Sequence, residues 1–284
     1  MTIVEATVHG AVSMVNAIAI GKGATIGIDT YVKTRLETSA GTGIHITSDN
    51  KTISSRLINK VIEKMVSKKD LMKTKLEFDF KSNIPTGYGL KSSSAISTAV
   101  ALVCSKIFKP NMNDYQILKV GIDASIATKV SITGAYDDVC SCYYGGFNVT
   151  DNLKRKIILQ HNAPRNLQVI IFIPKSRKRG NLKKLKNMSG AFKKAWNLAA
   201  TSDYWNATIL NGIATTSILN SDPKIITNLI KSGALCATIS GNGPSIIAIA
   251  KKQHVSNIKK QFSTLDGTII TSNINNKKAE VHEM

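Results

Sequence analysis

Pro85-Thr86-Gly87-Tyr88-Gly89-Leu90-Lys91-Ser92-Ser93-Ser94-Ala95 is the stretch on which the reading of this chain turns. On its N-terminal side, Leu76, Phe78 and Phe80 alternate with Glu77, Asp79 and Lys81, the period of a half-buried strand. On its C-terminal side, Ala95 to Phe108 is a continuous helical candidate that Pro110 closes. The quoted segment is therefore a loop feeding a helix. Glycine lets backbone N–H groups come close to an anion, and the first helical turn leaves its amides unpaired at the positive end of the helix dipole. A triphosphate fits such a place. The serine hydroxyls can cap the helix, bind phosphate oxygens or hold a Mg²⁺ that bridges them. Taken alone, the same residues also read as a glycine turn with an ordinary serine cap.

Working outward, Ile3 to Val8 and Ala17 to Ile28 read as strands joined by glycine turns. After Ser54 or Ser55, Ile58, Val61, Ile62, Met65 and Val66 form one stripe of an amphipathic helix. A second helix follows Asn113 or Asp114, with Tyr115, Leu118, Ile122 and Ile126 as its expected inward face. A polar stretch from Asp151 to Pro164 precedes the wholly apolar strand Val169 to Ile173, and a domain boundary is placed there. The remainder reads as a basic segment, two or three helices, the strand pair Ala237 to Ile239 and Ser245 to Ala250, a helix near Ile258 and a strand at Thr268 to Ile270.

Two further segments shift the odds toward phosphate chemistry. Ser240-Gly241-Asn242-Gly243-Pro244-Ser245 is a glycine turn between two apolar strands. Thr133-Gly134-Ala135-Tyr136-Asp137-Asp138 leads through Val139 to Tyr144 into Gly145-Gly146. The P-loop signature G-x-x-x-x-G-K-[ST] is absent, and Gly21-x-Gly23 is followed by Ile26 where a dinucleotide fingerprint needs glycine.

Together the three segments resemble the signature regions of the GHMP kinases, whose phosphate motif is P-x-x-x-G-L-x-S-S-A. Pro85, Gly89, Leu90, Ser92 and Ser93 match it, and Ser94 replaces its alanine. The chain more specifically resembles archaeal-type shikimate kinases, which carry G-L-K-S-S-S-A, here Gly89 to Ala95, and G-A-[FY]-D-D, here Gly134 to Asp138. The resemblance implies an α+β, two-lobed fold. Residues 1–155 would form an ATP-binding lobe of a type found in ribosomal proteins, and 156–284 an α/β sandwich lobe, with ATP in the cleft between them.

It also implies ATP-dependent phosphorylation of shikimate to shikimate 3-phosphate in chorismate and aromatic amino acid biosynthesis, with homoserine or mevalonate as the alternative acceptors. Residues Pro85 to Ala95 would wrap the phosphates, and Ser93 would stand at the Mg²⁺-binding serine position. Asp138, seven residues before Gly145, would accept or orient the proton of the attacking hydroxyl, with Asp137 as its rival; helix capping or pairing with a lysine is the plain alternative for both. Gly241 and Gly243 would support the loop and the acceptor site. For the acceptor carboxylate a planar arginine fork is the best partner, and Arg56, Arg177 and Arg179 are candidates. The chain departs from the superfamily at Val8-His9-Gly10-Ala11, which lacks the lysine of an A-P-G-K segment that supports the catalytic aspartate. Lys22 or another cation would substitute, or none is needed. Lys91 replaces a small residue of the loop, and either reaches phosphate or points to solvent.

Composition sets bounds. The 284 residues carry a formal charge of +20, which attracts polyanions and also suits phosphorylated substrates. The densest basic run, Lys175 to Lys186, lacks interleaved aromatics on which bases could stack. Small-molecule partners are expected over nucleic acid, and an RNA-binding module is the competing reading. No apolar run approaches the roughly 18 residues of a membrane span, and Met1 to Gly10 does not read as a secretion signal. A soluble, cytoplasmic chain is expected. Cys104, Cys140, Cys142 and Cys236 lack C-x-x-C spacing and read as reduced core thiols.

Overall fold

A computed structural model describes residues 1–49, 53–131, 134–176, 181–219 and 221–284. Strand β1, Thr2–Val15, alternates buried and half-buried residues as far as Gly10 and is continuously buried from there on. The change of pattern marks where the strand gains cover on both faces, mainly from helices of the N-terminal and C-terminal halves of the chain. Asn16 ends the strand because its side-chain oxygen accepts the Ile18 N–H at 2.8 Å, an Asx turn, and Gly21 completes the reversal at φ 69°. The strand expected from Ala17 therefore begins only at Lys22, as β2, Lys22–Ala40.

The next elements are β3, Ile44–Ser48, α1, Ser55–Met65, the short α2, Lys68–Leu71, and β4, Thr74–Ser82. Ser54 caps α1, whose buried stripe is Leu57, Ile58, Val61, Ile62 and Met65. Then come α3, Ser92–Phe108, α4, Asp114–Ala127, α5, Tyr136–Tyr144, β5, Phe147–Asp151, and β6, Lys156–His161. The remaining elements are β7, Leu167–Pro174, α6, Ser189–Ala200, α7, Tyr204–Ile218, α8, Lys224–Lys231, β8, Cys236–Ile239, β9, Ile246–Lys251, α9, Val255–Phe262, β10, Gly267–Asn273, and β11, Glu280–Glu283.

One sheet runs β11-β1-β2-β4-β3, with β5 also paired to β2 and carrying β6; its pairs are antiparallel except β3 with β4. The other is antiparallel, β10-β7-β9-β8. Two sheets with segregated helices make the α+β class that was expected. The expected division at 155/156 falls on the turn between β5 and β6. Sheet membership changes only between His161 and Leu167, and the chain returns to the first sheet with β11.

Helix α3 is buried on nearly every side and leans on β1, β2, α1, α4 and α5. Helix α4 starts with a capping box, Asn113 with Gln116. Of its expected inward face, Leu118 and Ile122 are buried, but Tyr115 and Ile126 are 46% and 44% exposed. Gly121 supplies the reason. A Cβ there would stand 3.0 Å from Ser97 Oγ, so the close approach to α3 is made through small residues and rotates the buried face toward Ile117, Gly121, Ala124 and Ser125.

In the second sheet, Ile170, Phe172, Ala237, Ile239 and Ala248 face Ile226, Leu229, Ile258 and Phe262 of α8 and α9. Val169, Ile171, Cys236, Ile247 and Ile249 join the main core, together with Ala195 and Ala199 of α6 and Ala207 of α7. Burial on both faces explains why Val169 to Ile173 is apolar without alternation. All four cysteines are buried free thiols, pushed well up from the ordinary thiol range by burial. Among the described residues, no helix is long and apolar enough to cross a membrane.

Candidate active site

Between the two sheets opens a cleft whose floor is the segment quoted first. Helix α3 begins at Ser92, three residues before its expected start, and its cap is Lys91 in the left-handed conformation (φ 65°, ψ 23°) with no side-chain cap bond. Ala95 N–H donates to Lys91 O at 3.0 Å. The amides of Ser92, Ser93 and Ser94 precede it in the first turn, where the helix offers no carbonyl to receive them. A serine cap would have consumed one of these donors. Gly87, Gly89, Leu90, Lys91 and Ser92 to Ser94 line the cleft. Pro85, Thr86, Tyr88 and Ala95 stand outside its wall, Ala95 being fully buried in the core.

The late glycine turn buttresses this loop. Gly89 lies at φ 83°, and a Cβ on it would overlap the Ser240 carbonyl oxygen. Ser240 Oγ donates to Gly89 O at 2.8 Å and accepts the Ser13 N–H at 3.0 Å. Gly241 and Asn242 reach the cleft wall, whereas Gly243, donating its N–H to Ser240 O at 2.9 Å, closes the turn behind it.

A second helix points its N-terminus at the same cleft. Helix α5 is capped by Ala135 at φ 50°, again without a side-chain bond, and Asp137 and Asp138 occupy its first turn. Asp137 is 3% exposed. Its Oδ1 accepts from Asn152 Nδ2 at 2.7 Å, its N–H donates to Asn152 Oδ1 at 3.1 Å, and a Cβ on Gly23 would collide with its Oδ2. Burial pushes the Asp137 carboxyl up to about 7, the Asp138 charge adds to the rise, and Lys91 and Asn152 oppose it. A carboxyl so enclosed keeps its proton to a higher pH than a solvated aspartate does.

Asp138 has its charge partner in Lys91, Nζ to Oδ1 at 2.9 Å, with side-chain exposures of 6% for the lysine and 16% for the aspartate. The contact is an ion pair off the hydrogen-bond line, because Oδ1 receives no aligned donor from the described residues. The aligned bond from Lys91 Nζ goes to Ser13 Oγ at 2.7 Å. Lys91 thus points neither to solvent nor into the amide row. Lys22 pairs with Asp151 at 3.8 Å and stands 4.4 Å over the Trp196 ring, off the cleft wall.

The opposite wall is Ser13, Asn16, Ala17 and Ile18. Asn16 receives and gives in several directions: its N–H donates to Asn211 Oδ1 at 2.9 Å and its Nδ2 to Gly241 O at 2.7 Å. It ties the end of β1 to α7 and to the glycine turn. Sequence reading missed Ser13, Asn16, Asn152 and Asn211, since lone polar residues in apolar runs form no motif; a polar side chain at the end of a buried strand was the available signal. Arg177 and Arg179 lie outside the described residues, as does Thr133. Arg56 is exposed and lines a separate groove with Ala127 and Thr128.

Among the described residues no group of three His, Cys, Asp or Glu side chains could hold a metal ion. The cleft does offer Ser93 and the Asp138 carboxylate, a donor set that suits a Mg²⁺ carried mainly by phosphate oxygens and water. When bound, such an ion would neutralise phosphate charge.

Comparison with known proteins bears on this cleft directly. Residues 56–146 match the GHMP kinases N terminal domain, a span covering the cradle, α5 and both of the paired glycines. The sequence is 33% identical to a protein named shikimate kinase from Methanobrevibacter smithii, aligned over 94% of this chain and 95% of that one. The chain belongs to the GHMP kinases. This GHMP kinase is also 30% identical to a shikimate kinase of Methanothermobacter thermautotrophicus over 100% of both chains, and to one of Pyrococcus furiosus over 92% of this chain and 96% of the other. In fold it is similar to a homoserine kinase from Cytophaga hutchinsonii (TM-score 0.76, 19% identity, 99% and 97% of the two chains). It is likewise similar to the mevalonate kinase of Methanococcus jannaschii (TM-score 0.75, 16% identity, 96% and 98%).

Proposed function

We propose that this kinase transfers the γ-phosphoryl group of ATP to the 3-hydroxyl of shikimate, giving shikimate 3-phosphate and ADP as a step of chorismate biosynthesis in the cytoplasm. The observation that carries the reading is that the first-turn amides of Ser92 to Ser94, for which the described residues supply no carbonyl, and the Asp138 carboxylate line one cleft. The choice of acceptor rests on relatives named shikimate kinase at about the 30% level along nearly the whole chain.

Phosphoryl transfer proceeds through a loose transition state, so the protein has mainly to align acceptor and γ-phosphate and to balance oxygen charge. The amides of Ser92 to Ser94 and the dipole of α3 hold the phosphates. The acceptor hydroxyl lies against Asp138, which takes or orients its proton as the oxygen bonds to the γ-phosphorus and the bond to the bridging oxygen of ADP breaks. Ser93 would help hold a Mg²⁺ brought with the nucleotide, which would supply positive charge to the phosphates. Asn16, Gly241 and Asn242 form the acceptor wall. An ADP-release assay with shikimate, homoserine and mevalonate offered separately tests the reading. ADP release is expected with shikimate, and a rate at background with it defeats the assignment whatever the others do.

A further inference from the structure

Lys91 belongs to two parts of the cleft at once. Its backbone is the left-handed cap of α3, within the amide cradle, while its side chain crosses to Ser13 and to Asp138 on α5. Burying a lysine costs rotamer freedom and the hydration of an ammonium, so its course needs a partner that offsets both. Asp138 is that partner. The path is kept open by a residue without a side chain, because a Cβ on Gly241 would stand 2.7 Å from Nζ. Among the described residues Lys91 is the one basic side chain on the cleft wall.

The geometry of the pair matters as much as its length. A lysine ammonium has three donors and no acceptor. One is aligned on Ser13 Oγ, and the approach to Asp138 Oδ1 is close but off-line. Oδ1 is itself shut off from solvent, so the ammonium supplies charge from the inner side of the carboxylate and leaves Oδ2 as the oxygen for an incoming hydroxyl.

We propose that Lys91 is the positioning residue for Asp138, holding the carboxylate turned toward the acceptor from within the phosphate cradle itself. Seating of the phosphates and placement of the carboxylate are then set by one residue, which couples the two halves of the reaction without a further element. This inference rests on the reading of Asp138 as the group that meets the hydroxyl, and the test separates the two.

Lys91→Gly is the informative variant, since glycine adopts φ 65° without strain and keeps the cradle's backbone. With the acceptor that supports turnover, kcat is expected to fall by roughly 10²-fold, while the calorimetric Kd for Mg-ATP stays within about threefold. Lys91→Arg should recover a large part of the loss. In the double variant with Asp138→Asn, turnover should be no lower than in Asp138→Asn alone, because a residue that acts only through another adds nothing once that other is gone. Unchanged kcat in Lys91→Gly, a loss seen wholly as weaker nucleotide binding, or losses that multiply in the double variant would each overturn the proposal. Wild-type turnover in Asp138→Asn would instead remove the reading beneath it. If Lys91→Gly does not fold, Lys91→Met carries the same three comparisons.

Discussion

Asp137→Asn separates burial from charge in this site. The Asp137 carboxyl is held up to about 7 from an ordinary 3.8, first by burial and then by the Asp138 charge. Below 3.8 the folded and unfolded chains both carry the proton, and the group is neutral to stability. Between 3.8 and about 7 the folded chain keeps the proton and the unfolded chain has lost it, so each rise in pH favours unfolding. The slope is about 1.4 kcal/mol per pH unit, and the whole window amounts to something on the order of 4 kcal/mol. Above the folded value the full cost is present. Asparagine is nearly isosteric and can still accept from Asn152 Nδ2 through its carbonyl oxygen, yet has nothing to ionise. Urea unfolding of both proteins at half-unit steps from pH 5 to pH 8 should show the difference in favour of Asp137→Asn growing by about 2 kcal/mol up to pH 7 and levelling beyond it. Taking the difference cancels the other titrating groups. A difference that stays flat with pH would refute the claim that the buried carboxyl holds its proton.

Asp138→Asn should lower kcat by roughly 10²- to 10⁴-fold while Mg-ATP binding measured by calorimetry stays within a few-fold, and unchanged turnover would take Asp138 out of the chemistry. Gly89→Ala should forfeit the cradle, since a Cβ at φ 83° would overlap the Ser240 carbonyl oxygen. A destabilisation of at least ~1–3 kcal/mol is expected, along with loss of the heat of Mg-ATP binding. Wild-type stability and binding in that variant would mean the turn yields freely.

The cradle was legible in the linear chain because it is local. Strand period, glycine turn, serine run and helical run follow one another within Leu76 to Phe108, and the positions of the unpaired amides follow from where a helix starts. The carboxylates were legible for the same reason, being consecutive residues of one short helix. Beyond that range the chain was silent. Whether Asp137 or Asp138 is the buried one depends on how α5 rolls against β2 and Asn152, contacts made across the fold. The fate of Lys91 depends on Gly241 leaving space and on Ser13 presenting a hydroxyl, both from remote strands and turns. Tyr115 and Ile126 lie on an apolar stripe, yet face outward because Gly121 lets α4 approach α3 on a different side. A motif records which groups a short segment can present. Which partner meets each group is chosen by packing between segments, where the free energy of burial and of charge pairing depends on neighbours that no local pattern encodes.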